Sequence, residues 1–288
     1  MHPRRYALIA SLLLLPAAAT AAGTLDRIKS SGTLTLGYGA EARPFSFQDS
    51  AGKPLGYGVE LCGKVADILK ADQKLPGLKP AFVQVTRSER LGAVADGKVD
   101  LLCDAVVPTP ASRQQVSYSI PVFTTGISAI VRKAATARLH EILSAQPPSS
   151  SRPHTFSYVA GTRVEQAVIE RLRTQQRDIR PLAVKDYADG VDAVSAERAD
   201  AFFGDRVMLL DMVKRGARAG ELLVLERYFT HETLALALAR GDEDFRLAVD
   251  RALSRVFRAD EFRGLYAKWF GEPSDETLSL FRSGALPD

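Results

Sequence analysis

The sequence predicts an α/β protein with largely parallel sheets covered by helices. Short apolar runs of buried-strand length, such as residues 80–85 and 99–103, recur along the chain. They alternate with longer segments whose apolar residues follow a helical period, such as residues 59–71. This alternation is typical of parallel α/β folds. No repeat of about 20–50 residues is present, so the sequence does not predict a solenoid.

The first half of the chain carries a regular series of predicted elements. Helices are predicted at residues 24–30, 59–71 and 87–95, and strands at 33–37, 45–47, 80–85 and 99–103. A short helix is expected to begin at Thr109 and Pro110, because threonine is a favoured N-cap and proline suits the first helical position. Pro121 then indicates an extended segment.

The second half continues the alternation. Strands are predicted at residues 125–132, 155–159, 181–184, 200–203, 222–226 and 232–239. Helices are predicted at residues 137–145, 162–175, 187–198, 206–214 and 244–269, the last with a break near Asp260. Thr162 and Glu165 have the spacing of a capping box at the start of their helix. Residues 146–153 are too rich in proline and serine for regular structure.

The N-terminus indicates export. Residues 1–22 combine a basic start, a short apolar run and small residues, which is the pattern of a cleavable signal peptide too short to span a membrane. We therefore expect a soluble, exported mature protein. The net charge of +4 falls to about +2 when Arg4 and Arg5 leave with the signal peptide. So small a charge, with scattered basic residues, does not indicate a nucleic-acid partner.

Two cysteines, Cys62 and Cys103, leave two interpretations open. An even pair in an exported protein favours a disulfide. The alternative is a pair of small buried thiols, since free cysteine packs as a small hydrophobic residue. The sequence does not show whether the two Cα atoms come within bridging distance.

The sequence carries no recognisable catalytic or metal-binding motif. His140, His154 and His231 lie in unrelated contexts, without a partner at metal-ligand spacing. A nucleophile elbow, a zinc-protease motif, a CxxC pair and a phosphate-binding loop are all missing from the sequence. We therefore expect a protein that is not an enzyme and that uses no metal or cofactor.

Residues 98–123 have a distinctive layout. An apolar strand ends in Cys103, a threonine–proline turn and Arg113 follow, and an aromatic-Ser-x-Pro-x-Phe segment closes the stretch at residues 118–123. This layout resembles the bacterial extracellular solute-binding proteins of family 3, the periplasmic receptors of polar amino-acid ABC transporters. The opening at residues 24–38 and the YAKWFG segment at 266–271 are also similar to this family.

The resemblance covers nearly all of the mature chain and implies a two-lobed periplasmic-binding-protein fold of type II. Each lobe would be a mainly parallel sheet flanked by helices. Lobe 1 is expected to comprise residues 23–124 and 232–288, and lobe 2 residues 125–231. The resemblance further implies a monomer that passes a small-molecule ligand to an inner-membrane ABC permease.

A free amino acid needs an acceptor for its ammonium group and a cation for its carboxylate. In the family the acceptor follows a strand that matches Asp200-Ala201-Phe202-Phe203, which makes Asp205 the candidate. The alternative role of Asp205 is an N-cap for the next helix, and one side chain can serve both.

The carboxylate side departs from the family pattern. An ungapped comparison puts Ser112 at the position of the family's arginine, with Arg113 one residue later. Two positions that carry hydroxyl groups in the family are Ala105 and Val107. Either Arg113 replaces the missing arginine or the usual carboxylate site is lost.

Other residues provide alternative contacts for a ligand. Arg87, Arg90 and Arg163 together suggest a cleft suited to an anion, although each alone is more often a solvated surface cation. Thr162 precedes Arg163 at a helix start, and Tyr38 is a candidate for the cleft wall.

Two functional hypotheses follow. The first is a periplasmic binding protein that closes two lobes on an amino acid or a related organic anion. The second is an accessory or sensory protein that keeps the fold, has a degenerate amino-acid site and acts through a protein partner.

Overall fold

The structure is a computed structural model that describes residues 23–135, 153–170, 179–216 and 220–287. The strands within these residues are β1 (Thr33–Tyr38), β2 (Glu41–Ala42), β3 (Ser46–Gln48), β4 (Pro54–Leu55), β5 (Lys79–Gln84), β6 (Leu101–Val106), β7 (Val116–Tyr118), β8 (Phe123–Thr125), β9 (Ile127–Arg132), β10 (His154–Val159), β11 (Ile179–Val184), β12 (Ala201–Asp205), β13 (Leu222–Val224) and β14 (Glu232–Ala239). The α-helices are α1 (Thr24–Ser31), α2 (Tyr57–Asp72), α3 (Arg90–Ala95), α4 (Tyr187–Ser195), α5 (Arg206–Arg215), α6 (Glu243–Arg258), α7 (Glu261–Phe270) and α8 (Asp275–Gly284).

The first large sheet has the strand order β5-β1-β6-β14-β7, and β8 also pairs with β14. β1 runs parallel to β5 and β6, whereas β14 runs antiparallel to β6, β7 and β8. The central position of β14 explains its sequence, because a strand covered on both faces reads as a continuous apolar run. Residues 234–238 of β14 are all buried.

The second large sheet has the order β11-β10-β12-β9-β13. β10 is parallel to β11 and β12, while β9 is antiparallel to β12 and β13. Each large sheet thus has a parallel core of three strands that antiparallel strands extend, so both sheets are mixed and not mainly parallel as expected. The predicted α/β class is confirmed. A small antiparallel sheet of β2, β3 and β4 accompanies the first large sheet.

The chain passes between the two large sheets twice, and the two crossing segments touch at Gly126. A Cβ atom at this position would lie 1.8 Å from the carbonyl oxygen of Thr230, so only glycine allows this approach. The adjacent Ile127 N–H donates a 3.0 Å hydrogen bond to Thr230 Oγ1. The crossing is therefore fixed by direct contact between its two segments.

In the core of the first sheet, aromatic rings from distant parts of the chain pack against each other. The rings of Phe123 and Phe270 have centroids 4.5 Å apart, and Tyr57 lies 5.1 Å from Phe270. Buried aromatic side chains contribute the largest areas to such a core, and each stabilises the fold by about 1.5–3 kcal/mol. Helix α7 is in this way held against α2, which begins more than 200 residues earlier in the chain.

Most predicted elements are confirmed, with ends that shift by a few residues. The strand predicted at residues 99–103 is β6, which begins at Leu101 and extends to Val106. The short helix predicted near Thr109 is a 3-10 turn at Ser112–Gln114, and Thr109 Oγ1 accepts a 3.1 Å hydrogen bond from the Ser112 N–H. The predicted break near Asp260 separates α6 from α7.

The predicted capping box at Thr162 is wrong. The Thr162 hydroxyl donates to the carbonyl of Val159 at 2.7 Å, and the Glu165 carboxylate accepts from the hydroxyl of Tyr158 at 3.1 Å. Both side chains thus have other partners, and the segment Glu165–Ile169 is a π-helix.

Helix α8 was not predicted. Its signal was Ser274 ahead of two acidic residues, and the Ser274 hydroxyl accepts a 3.1 Å hydrogen bond from the Thr277 N–H. The predicted signal peptide, the helix at 137–145, all but the last residue of the loop at 146–153 and the end of the helix predicted at 162–175 lie outside the described residues.

Cys62 of α2 and Cys103 of β6 form a disulfide, with Cα atoms 5.9 Å apart. Both residues are fully buried in the first sheet's core. The bond joins the helix to the strand beneath it across a sequence separation of 41 residues. A cross-link of this span restricts the unfolded chain.

We expect the double variant Cys62→Ala/Cys103→Ala to unfold more easily than the wild type. The predicted loss is about 2–4 kcal/mol in the free energy of unfolding, because the closed loop no longer limits the unfolded ensemble. Urea unfolding measures it, and reduced wild-type protein, which keeps both sulfur atoms, is the control. Equal unfolding midpoints for oxidised wild type, reduced wild type and variant would contradict the disulfide.

Candidate functional site

Each large sheet and the helices that cover it are called here an α/β unit. A cavity of about 280 Å³ lies where residues of the two α/β units face each other. We call this cavity the cleft. The ends of β6 and β12 and the start of β9 line it, and binding sites of α/β proteins are typically found at such strand ends. Seven of the ten residues selected from the sequence line the cleft: Arg87, Arg90, Ala105, Val107, Thr162, Arg163 and Asp205.

Asp205 is the last residue of β12 and the N-cap of α5. Its carboxylate accepts hydrogen bonds from the Val207 N–H at 3.0 Å and from Thr125 Oγ1 at 3.2 Å. The N-cap interpretation therefore describes the side chain, and the same side chain faces the cleft. Its role toward a ligand stays a prediction.

Burial raises the pKa of Asp205 to about 6. The hydrogen bonds from Val207, Thr125 and Met208 oppose this shift, and the nearby carboxylate of Glu232 adds to it. The ionised form of Asp205 is thus less favourable than it would be in water, because the surrounding protein replaces only part of its hydration. A cation next to this carboxylate would stabilise the ionised form.

Two of the three cleft arginines are neutralised by carboxylates. Arg90 forms a salt bridge with Asp104, a buried residue of β6. Arg163 lies 3.1 Å from Glu232 at the start of β14. Arg87 is exposed and makes no ion pair with any residue that the structure describes.

The charges that line the cleft are therefore balanced. The three cations Arg87, Arg90 and Arg163 share it with the three carboxylates Asp104, Asp205 and Glu232. This differs from the expectation of an anion-binding cleft, because that expectation rested on the arginines and did not include Asp104 and Glu232. A balanced set suits a ligand that carries both charges.

Three of the selected residues lie outside the cleft. The exposed guanidinium of Arg113 stacks on the ring of Tyr118, 5.4 Å from the ring centroid. The Ser112 hydroxyl is used inside the turn, where it donates to the Thr109 carbonyl at 3.0 Å. Tyr38 is buried in the core, and its hydroxyl accepts a 2.6 Å hydrogen bond from Gln48 Nε2.

Asp104, Glu232 and Tyr187 also line the cleft, and none of them was predicted from the sequence. Asp104 lies inside the otherwise apolar strand β6 and Glu232 begins the apolar strand β14, and charged residues in such places are rarely buried without a partner. That signal was available. The Tyr187 hydroxyl accepts a 3.1 Å hydrogen bond from the Asp205 N–H, and burial raises its pKa to about 12. It therefore stays neutral beside the carboxylate.

Comparison with known proteins identifies the family. The model of the bacterial extracellular solute-binding proteins, family 3, matches residues 34–272. The chain belongs to this family, and the resemblance in its sequence is confirmed.

Relatives within this family are known. The chain is 28% identical over 269 residues to the L-glutamate/L-aspartate-binding protein of Pseudomonas aeruginosa, which covers 93% of this chain and 86% of that protein. It is 27% identical over 250 residues to the L-cystine-binding protein TcyJ of Escherichia coli, which covers 86% of each.

Solved structures show the same architecture. One is an ancestral amino acid-binding protein, a precursor of cyclohexadienyl dehydratase, with a TM-score of 0.70 at 28% identity. The match covers 86% of this chain and 100% of that one. The fold is the two-lobed type II fold of amino-acid-binding proteins. Both family and fold support the binding of a small polar solute.

No helix among the described residues has the length and apolar character needed to cross a membrane. In the same part of the chain, no group of three or more His, Cys, Asp or Glu side chains is arranged to hold a metal ion.

We expect Asp205→Asn to become more stable relative to the wild type as the pH rises from about 4 to about 6. The folded carboxyl has a pKa of about 6 and its unperturbed value is 3.8, so in this window the folded wild type binds more protons than the unfolded chain and loses stability as the pH rises. The asparagine keeps the N-cap and does not titrate. The difference should grow by on the order of 2–3 kcal/mol.

Chemical unfolding at a series of pH values measures this difference. Asp186→Asn is the matched control, because Asp186 is also a helix N-cap but is exposed. A difference between Asp205→Asn and the wild type that does not change across the window would refute the burial of an ionised carboxylate.

Proposed function

We propose that this protein is a periplasmic solute-binding protein of an ABC importer and that its ligand is an amino acid. The observation that carries the proposal is the balanced set of charges in the cleft, with three cations and three carboxylates. A zwitterion brings an ammonium group and a carboxylate, and each gains a partner in such a cleft. The amino acids bound by the relatives named above are consistent with this ligand class.

The ammonium group is assigned to Asp205. This side chain is half-buried, desolvation raises its pKa, and the residues that the structure describes supply it with hydrogen-bond donors but no ion pair. An ammonium group placed beside it would offset the desolvation of the carboxylate. The hydrogen bonds from Val207 and Thr125 hold the acceptor in place before the ligand arrives.

The ligand's carboxylate is assigned to Arg87. Arg90 and Arg163 each have a carboxylate partner, whereas Arg87 is exposed and makes no ion pair within the described residues. Arg87 precedes α3 beside the first sheet, and Asp205 lies at the end of β12 in the second. A ligand that touches both would link the two lobes and favour the closed arrangement.

The lobes are proposed as residues 23–124 with 232–288 and residues 125–231. The protein would act as a monomer without catalytic activity and would deliver its ligand to an inner-membrane permease. The export signal at residues 1–22 and the family support a periplasmic location.

A second candidate is an accessory or sensory protein with a degenerate site. The observation that favours it is the position of Arg113, which stacks on Tyr118 outside the cleft and does not replace the family's carboxylate ligand. In this case no amino acid would bind, and a protein partner would recognise the surface.

A thermal-shift screen with L-amino acids and their des-amino analogues tests the first candidate, because a ligand that binds only the folded state raises its stability. We expect an amino acid to bind and Asp205→Asn to weaken it by about tenfold or more, while the des-amino acid is little affected. Arg87→Ala should weaken both. Arg113→Ala is the matched control, since Arg113 lies outside the cleft, and it should weaken neither.

Two outcomes would contradict the assignments. If the amino acid and its analogue bind equally well and Asp205→Asn changes neither, the assignment of the ammonium group to Asp205 is wrong. The absence of any shift across the panel would favour the partner-dependent candidate.

A further inference from the structure

A second cavity, of about 510 Å³, lies next to the cleft and has a different character. We call it the basic cavity. Its volume falls within the range of about 300–1,000 Å³ typical of small-molecule sites. Its lining comes from both α/β units: Arg43, Phe123, Tyr266 and Trp269 from the first, and Arg206, Leu210, Lys214 and Tyr228 from the second, among others.

Helix α5 separates the two cavities. Asp205 and Met208 line the cleft, whereas Val207, Leu210 and Lys214 line the basic cavity. These last three residues follow a spacing of three and four, so they form one stripe of the helix. The basic cavity is thus a separate space and not an extension of the cleft.

The charge in the basic cavity is strongly unbalanced. Five cations line it, Arg43, Arg206, Lys214, Arg215 and Lys268, and the only carboxylate in the described lining is Asp211. Asp211 is shared by Arg43 at 3.3 Å and Arg215 at 2.7 Å. Glu60 neutralises Lys268 from outside the lining. Lys214 makes no ion pair with any residue that the structure describes. An anion would therefore be attracted.

Two of these cations are held in place by aromatic rings. The guanidinium of Arg43 lies 4.3 Å from the centroid of Phe47, and that of Arg206 lies 5.2 Å from the centroid of Tyr228. Arg206 Nε also donates to the carbonyl of Leu225 at 3.3 Å. Fixed cations of this kind lose little conformational entropy when an anion binds.

The rest of the lining is apolar and only partly covered. Leu210, which lines the cavity, is 40% exposed. Trp269 and Phe123 also line the cavity. Burial raises the pKa of Tyr266, so its hydroxyl keeps its proton and remains a hydrogen-bond donor. An inorganic anion would bind to the cations but would leave this apolar surface exposed to water.

We propose that the basic cavity is a second binding site, for a small organic anion with an apolar body, such as an aromatic or aliphatic carboxylate. The head group contacts Lys214 and Arg206, and the body covers Leu210 and Trp269. Because both α/β units contribute to the lining, the bound anion bridges them at a place distinct from the cleft. The site does not depend on which solute the cleft holds.

Trp269 provides the measurement. It is the single tryptophan of the chain, so tryptophan fluorescence reports on the wall of the basic cavity. The full mature protein is titrated with phenylacetate and with hexanoate, and their neutral amides and acetate serve as comparison probes. We expect a saturable change with the two carboxylates, and a much weaker response with the amides, which lack the charge, and with acetate, which lacks the body.

Lys214→Glu should weaken binding of the anion by about tenfold or more, because a cationic donor is replaced by a negative charge that repels the carboxylate. Lys214→Gln should have a smaller effect. Lys185→Glu is the matched control, because Lys185 is an exposed lysine of the same unit that lines neither cavity, and it should leave the response unchanged. Arg87→Glu, in the cleft, should also leave it unchanged. Thermal unfolding verifies that each variant is folded.

Equilibrium dialysis with labelled phenylacetate gives a second measurement that does not depend on fluorescence. We expect about one anion bound per wild-type chain and much less for Lys214→Glu. Loss of binding in Arg87→Glu with retention in Lys214→Glu would place the anion in the cleft and overturn the proposal. A lack of binding to wild type in both measurements would overturn it as well.

Discussion

The carboxylate of Asp205 lies half-buried at the point where β12 ends and α5 begins, and the cleft is arranged around it. The hydrogen bonds from Val207 and Thr125 tie this group to the helix and to the segment that crosses between the sheets. They recover part of the hydration that burial removes, but the pKa of about 6 shows that they do not recover all of it. The group that fixes the local backbone is thus also the one that gains most from a cationic partner.

Ion pairs determine the character of the cleft as much as its free charges do. Arg90 is neutralised by Asp104 and Arg163 by Glu232, so only part of the positive charge faces a ligand. Charges in a partly buried site interact strongly because little water screens them. The same residue type, arginine, consequently has different roles at positions 87, 90 and 163, according to which acid lies beside it.

Helix α5 gives the molecule two cavities with opposite properties. Its N-cap Asp205 and Met208 belong to the balanced cleft, and a stripe along its length belongs to the basic cavity. A motion of this helix relative to the first sheet would change both cavities together, because both contain residues of the two units. Binding in one is therefore connected physically to the geometry of the other.

The sequence by itself determined the α/β class, most of the described elements, the family and seven of the residues that line the cleft. Strand and helix periods are local properties of the sequence. The strand that precedes Asp205 is likewise local, and it was sufficient to identify Asp205 as a candidate site residue. Only the tertiary structure decided that Arg113 stacks on Tyr118, that Asp104 and Glu232 neutralise two arginines, and that Cys62 meets Cys103. These contacts join residues whose approach depends on packing, and side-chain direction at a turn such as residues 109–114 is set by neighbours that sequence spacing does not reveal.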